Sequence, residues 1–208
     1  GNPLVNSSEA AADAQAALDV MEEDYRYQLI LDPSLNLVPF DQALADHVNV
    51  RRELSFTDEI GERIENPGPD QPTFEVALQD AIDGVPHPFL EERITEFIAA
   101  NEYADHTIVS AREMHLILAE AALASGDTAS FETHVNHVRS MDDLTAYDGQ
   151  VPAMEMLKYM RKSNLFLQGR RLADMYRFGE QAPLWQSGSD AASTPGTFFP
   201  ITITDIRS

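Results

Sequence analysis

The densest group of chemically capable side chains lies in residues 157–179, LKYMRKSNLFLQGRRLADMYRFG. Lys158, Arg161, Lys162, Arg170, Arg171 and Arg177 fall there, six of the fourteen basic residues in a chain with thirty-five acids, and Asp174 stands among them. A guanidinium is a planar fork that meets two carboxylate oxygens at once, so arginine at this density serves a carboxylate network or a charged ligand. Glu120, Arg139, Arg170, Arg171 and Asp174 are the candidate members. As a ligand site the set would hold a polar molecule; as a structural set it would tie the last helix to the hairpin before it. The structural reading is adopted, because arginine suits it and loss of one partner of a buried pair typically costs ~3–5 kcal/mol.

Other candidate chemistry is thinner. His134 and His137 are three apart, with His115 on the preceding helix, whereas helical zinc pairs stand four apart and need further ligands. A solvated helix face and no metal are expected. Asp142-Asp143 ahead of Tyr147-Asp148-Gly149 makes an acidic loop that calcium would use, without the alternating oxygen spacing of a calcium loop. The chain has no cysteine, no G-x-S-x-G, no P-loop and no dinucleotide glycine pattern. No carboxylate pair of the glycosidase kind stands out. Neither enzyme activity nor a cofactor is expected. Sugar faces stack on aromatic rings, which makes Trp185, in the Gly/Ser/Ala/Pro-rich segment 181–196, and Tyr147, in the loop 142–150, the candidate ligand-binding residues. The alternative role for a loop ring is to anchor the loop to the core.

The elements that would position these groups read as helices. Ser7 or Ser8 with Glu9 opens one whose apolar positions Ala14, Leu18, Met21 and Tyr25 carry it to Leu31. Phe40, Leu44 and Val48 mark a second, and Thr57, Ile60 and Ile64 a short third. Residues 66–72, NPGPDQP, form a loop. Thr73 then caps a helix bearing Phe74, and Leu90, Ile94 and Phe97 make the next; no strand period is visible over 40–101. Ser110 to Glu113 is a capping box opening a helix through Leu118 to Gly126-Asp127, followed by one bearing Phe131, Val135 and Val138. This pair, with small Ala119 at the approach, has tetratricopeptide-like spacing, although Phe131 stands where that repeat prefers Ala. The last segment is helical with a break near Gly169. The expected fold is all-α, one domain over 1–208 of tetratricopeptide-like helical repeats with an irregular C-terminal tail.

Three of these motifs resemble the SusD/RagB family, glycan-capturing outer-membrane lipoproteins. The run Met114 to Ala121 is similar to its L-I-x-A-E-A, and Val135-Asn136-His137-Val138-Arg139 to its L-N-x-V-R. Arg161, Leu165, Gly169, Arg171, Asp174, Met175 and Arg177 match its closing E-R-x-x-E-L-x-x-E-G-x-R-x-x-D-L-x-R in register. Gln168 replaces the usual Glu there, and Lys162 and Asn164 depart from acidic positions. Phe199-Pro200-Ile201 resembles the closing Y-P-I-P, with Thr202 for the second proline and Asp205 for Glu. The likeness covers about residues 110–206. It implies a surface-exposed lipoprotein that binds an oligosaccharide or other small nutrient, without catalysis, for a TonB-dependent outer-membrane transporter. It also implies a precursor with a signal peptide and a lipidated cysteine upstream. Family members are far longer and carry their glycan contacts in inserted loops, for which short connections leave little room here. The alternative is a tetratricopeptide-like protein-interaction module that binds a partner protein and no sugar.

Composition adds one constraint. A formal charge of −21 argues against nucleic acid and against anionic membrane surfaces, which both require clustered exposed cations. Only two of the basic residues are lysines, a balance that fits solubility in high salt as well as an ordinary acidic surface. Salt shortens the Debye length from about 10 Å at 0.1 M to about 3 Å at 1 M, which screens self-repulsion. The melting temperature is therefore expected to rise from low salt to molar potassium chloride. A flat or falling trend would remove the high-salt reading.

Overall fold

The computed structural model describes residues 4–5, 7–32, 34, 44–64, 73–182, 185, 188 and 193–194. In chain order these form α1 (Ser8–Leu18), β1 (Arg26–Leu29), a π-helical turn (Asp46–Val50), β2 (Gly61–Ile64), β3 (Thr73–Val76) and α2 (Pro88–Ala99). β4 (His106–Ser110), α3 (Ala111–Ser125), α4 (Thr128–Ser140), α5 (Ala153–Asn164) and α6 (Arg171–Phe178) follow. The expected all-α repeat fold is thereby corrected. Among the described residues the structure is mixed, 49% helical and 11% strand with two small antiparallel sheets.

Both sheets arise where a helix is the expectation. α1 opens as the sequence predicts, with the Ser7 hydroxyl accepting from the Ala10 amide at 3.2 Å. It stops at Leu18, thirteen residues short of Leu31. Asp19, Glu22, Glu23 and Asp24 crowd its C-terminal end, where the helix macrodipole is already negative. Tyr27 then enters β1, which pairs antiparallel with β4 from Arg26↔Ser110 to Leu29↔His106, with a bulge between Tyr27 and Gln28. That partner, rich in β-branched residues, lies some eighty positions away, so tertiary pairing overrides the helical period. β2 and β3 pair from Gly61↔Val76 to Ile64↔Thr73, so Thr73 opens a strand and caps no helix. Phe74, Glu75 and Val76 alternate in exposure over a span too short to be recognised as a strand. Gly61 is required there: at φ +151° a Cβ would overlap the Glu75 carbonyl oxygen and the Phe74 ring. The expected loop 66–72, Phe40 and Phe199-Pro200-Ile201 lie outside the described residues.

The hairpin of α3 and α4 has the expected boundaries. Ser110 accepts from the Glu113 amide at 3.2 Å, Gly126 closes α3 in the left-handed region at φ +80°, and the Asp127 amide donates to the Ala122 carbonyl at 2.9 Å. Asp127 in turn caps α4 by accepting from the Ser130 amide at 3.0 Å. Leu116, Ala119, Phe131, Val135 and Val138 build the main core with Met156, Leu157 and Met160 of α5. Two smaller clusters lie beside it: Leu90 and Ile94 with Ile60 and Val76, and Phe97 with Ala45, Val48 and Ala104. Phe56 joins them, its ring edge-on to Phe74, Phe97 and Phe166 at 5.2–5.7 Å between centroids. Among the described residues no helix is long and apolar enough to cross a membrane.

Candidate functional site

α6 lies beside α3 and α5, and the side chains between them form an ion network. Arg161 of α5 donates from Nε and Nη2 to the two Asp174 oxygens, each at 2.9 Å, and its Nη1 lies 3.5 Å from Glu120. Arg177 bonds Glu120 and reaches Asp174 at 2.7 Å. Glu120 also accepts from the Val5 amide at 2.7 Å, which ties the N-terminal segment to α3. Arg170 meets Glu113 at 2.6 Å and donates to the Ile108 carbonyl at 3.1 Å. Burial alone would lower the Arg177 guanidinium; hydrogen bonds to Glu120 and Asp174 outweigh it and hold the group above its usual value. The Glu113 carboxylate raises Arg170 in the same way. Above this floor lies a cleft of about 250 Å³, with Val5, Ala10, Ile117, Ala121 and Ala173 on its walls. Three carboxylates face three guanidiniums across it, and each carboxylate spends its oxygens on an arginine.

Three of the five candidate cluster residues, Glu120, Arg170 and Asp174, therefore line one cleft, and two lie elsewhere. Arg171 turns outward to Glu180 at 2.9 Å. Arg139 is wholly buried and forks onto Asp80 at 2.8 and 3.0 Å, with Nε donating to the Thr145 carbonyl at 2.6 Å. Burial pushes the Asp80 carboxyl up, but Arg139 and the amides of Asp83 and Ile82 outweigh it and hold the group well below the usual carboxylate range. Asn136 exchanges two bonds with the Tyr147 backbone, at 2.6 and 2.8 Å. The N-x-V-R run is thus the clamp for the loop after α4.

A third arginine centre had no distinctive signal in the sequence. Arg112 grips Asp142 at 2.7 and 2.9 Å, Asp24 at 2.9 Å and Asn164 at 2.9 Å, with the Phe89 ring 3.9 Å below its guanidinium carbon. Its partners come from four separated segments, which local periodicity cannot connect. Asp142 is thereby committed to Arg112, which removes it from the calcium loop considered above.

The aromatic candidates diverge. Tyr147 is buried, its ring edge-on to Phe131 at 5.7 Å and its hydroxyl donating to the Val151 carbonyl at 2.9 Å. It is a core residue. Trp185 is half-buried against Tyr176, with ring centroids 5.6 Å apart.

The histidines lie closer together than a solvated face requires. His115 Nδ1 is 3.2 Å from His134 Nδ1, and the His115 ring stacks on His137 at 3.9 Å. Among the described residues no group of three or more His, Asp or Glu side chains is arranged to hold a metal. Burial, and then the neighbouring histidines, push His115 down to about 4. His87 is wholly buried between the Arg112–Asp142 and Arg139–Asp80 pairs, and among the described residues neither ring nitrogen meets a hydrogen-bond partner. Burial pushes it down to about 4 as well.

These two groups set an acid limit. Their folded values lie below the ordinary ~6.5, so the unfolded chain binds the extra protons. The stability they contribute is complete above pH 6.5 and is lost as pH falls toward 4. For His87 the loss is about 3 kcal/mol by linkage. Urea unfolding between pH 7.5 and 4 is expected to show it, and His87→Phe to flatten the slope. An unchanged slope in that variant would contradict the assignment.

Compared with protein-family models, curated proteins and solved structures, the chain matches none of them.

Proposed function

We propose that the chain is a non-catalytic binding protein of the SusD/RagB kind. It is held at the outer surface of the outer membrane by a lipid anchor and serves a TonB-dependent transporter in the uptake of an oligosaccharide or other small nutrient. One observation carries this reading. Residues from two of the resembled motifs, fifty-seven positions apart, meet in the ion network, Glu120 of the A-E-A run with Arg177 of the closing motif. A shared framework explains why such residues recur together without forming a catalytic constellation. The net charge favours a neutral or cationic ligand over an anionic one.

The second reading, a protein-interaction module that binds no sugar, is favoured by the burial of Tyr147, which leaves Trp185 as the stacking ring of the pair. Calorimetric titration of neutral oligosaccharides separates the two readings, with cross-linked affinity purification from the native host alongside. The nutrient reading predicts heat of modest affinity, since one ring on a shallow surface offsets little ordering cost. It predicts weaker binding for Trp185→Ala at unchanged helix content, and a TonB-dependent transporter in the eluate. A transporter without heat from any glycan would favour the interaction module. An outcome with no heat from any glycan and no specific partner in the eluate would overturn both readings.

A further inference from the structure

The ribbon of β1 and β4 has an unusual outer face. Tyr27 and Leu29 point outward from β1 and are 58% and 51% exposed, and Ile108, opposite the bulge, is 44% exposed. The inner face is occupied, with Thr107 and Ser110 buried and Arg26 lying 3.7 Å from Glu96. Among the described residues β1 pairs with β4 along one edge and with no strand along the other. Exposed acids frame the strip: Glu22 and Glu23 before β1, and Asp105 at the far end. Native proteins blunt free edges and seldom leave contiguous apolar patches beside them unless something docks there.

We propose that this strip receives an extended, lysine- or arginine-bearing segment of a partner protein, added as a third strand along β1. Backbone groups of the edge supply the register, Tyr27, Leu29 and Ile108 receive alternate apolar side chains, and the flanking acids receive the cations. The charge decides between occupants. A second copy of this chain would bring −21 against −21, and an anionic lipid surface would meet the same repulsion. The inference does not rest on the transporter reading.

The probe is a seven-residue peptide alternating lysine and valine, beside an equally charged peptide of lysine and serine and an alternating glutamate–valine peptide. The full chain is compared with its Tyr27→Glu/Leu29→Glu double variant, whose altered side chains are exposed and whose helix content is checked first. The lysine–valine peptide is expected to bind, to protect the amides of 26–29 from hydrogen exchange, and to weaken as salt rises. Affinity should fall about tenfold or more in the double variant and for the lysine–serine peptide. Equal binding of the two cationic peptides, protection elsewhere, or an unaffected double variant would overturn the proposal. So would self-association of the parent that the double variant abolishes, because the strip would then belong to a second copy.

Discussion

Arg139→Met is expected to lower the free energy of unfolding by about 3–5 kcal/mol. The Arg139 and Asp80 side chains are both fully buried, and the pair joins α4 to the turn ahead of α2. Methionine fills much of the space and brings no charge, so the cost is that of leaving the Asp80 carboxylate without its counter-ion in a region of low dielectric. Asp80 still accepts from the amides of Ile82 and Asp83 at 2.9 and 2.8 Å, which limits the loss. Asp80→Asn in the same background should recover part of it, making the double change cheaper than the sum. Loss of the Thr145 carbonyl bond should also loosen the 142–150 loop, visible as faster amide exchange there. Arg171→Ala is the contrast. That side chain is 39% exposed and pairs with a half-buried Glu180, so a change within about 0.5 kcal/mol is expected. Urea unfolding of the variants checks both, and an Arg139→Met protein as stable as the parent would mean that Asp80 is not held by this pair.

The contrast between Arg139 and Arg171 shows how far the sequence could be read. Motif arithmetic picks out Glu120, Arg170 and Asp174, which line one cleft because Glu120 and Asp174 sit on helices whose faces follow from a 3.6-residue period and Arg170 stands at the start of α6. It also picks out Arg139 and Arg171, whose partners the period does not define: Asp80 lies in an irregular turn, and Glu180 just past the end of α6. Arg112 carries no sequence signal for the same reason, since Asp24, Asp142 and Asn164 come from unrelated segments. The helix boundaries over 110–140 were legible because caps at Ser110, Gly126 and Asp127 are local chemistry. Strands of four residues carry too few alternations to register, and β1 owes its form to β4, a partner remote in sequence. The all-α expectation failed at those short, non-local elements. Tyr147 takes the anchoring alternative of the two roles its sequence position leaves open, because Asn136 clamps its backbone and the ring turns into the core.

The central claim is that the charges of the closing motif are internal ties of the scaffold, so that any ligand binds to a framework they hold and not to them. A double-mutant cycle on Arg161 and Asp174 tests this most directly, with unfolding free energies for Arg161→Met, Asp174→Leu and the combined variant. Both side chains are nearly buried and bonded twice, at 2.9 Å. Each single change removes the main partner of a buried charge, leaving Asp174 with Arg177 at 2.7 Å or Arg161 with Glu120 at 3.5 Å, and is expected to cost about 3 kcal/mol, the low end for a broken buried pair. The combined variant removes both charges and should cost clearly less than the sum, with a coupling of about 1–3 kcal/mol. Arg177 remains to satisfy Glu120 in all three. Additive losses, or single variants as stable as the parent, would contradict the account and leave the arginines of the cleft free to serve a ligand.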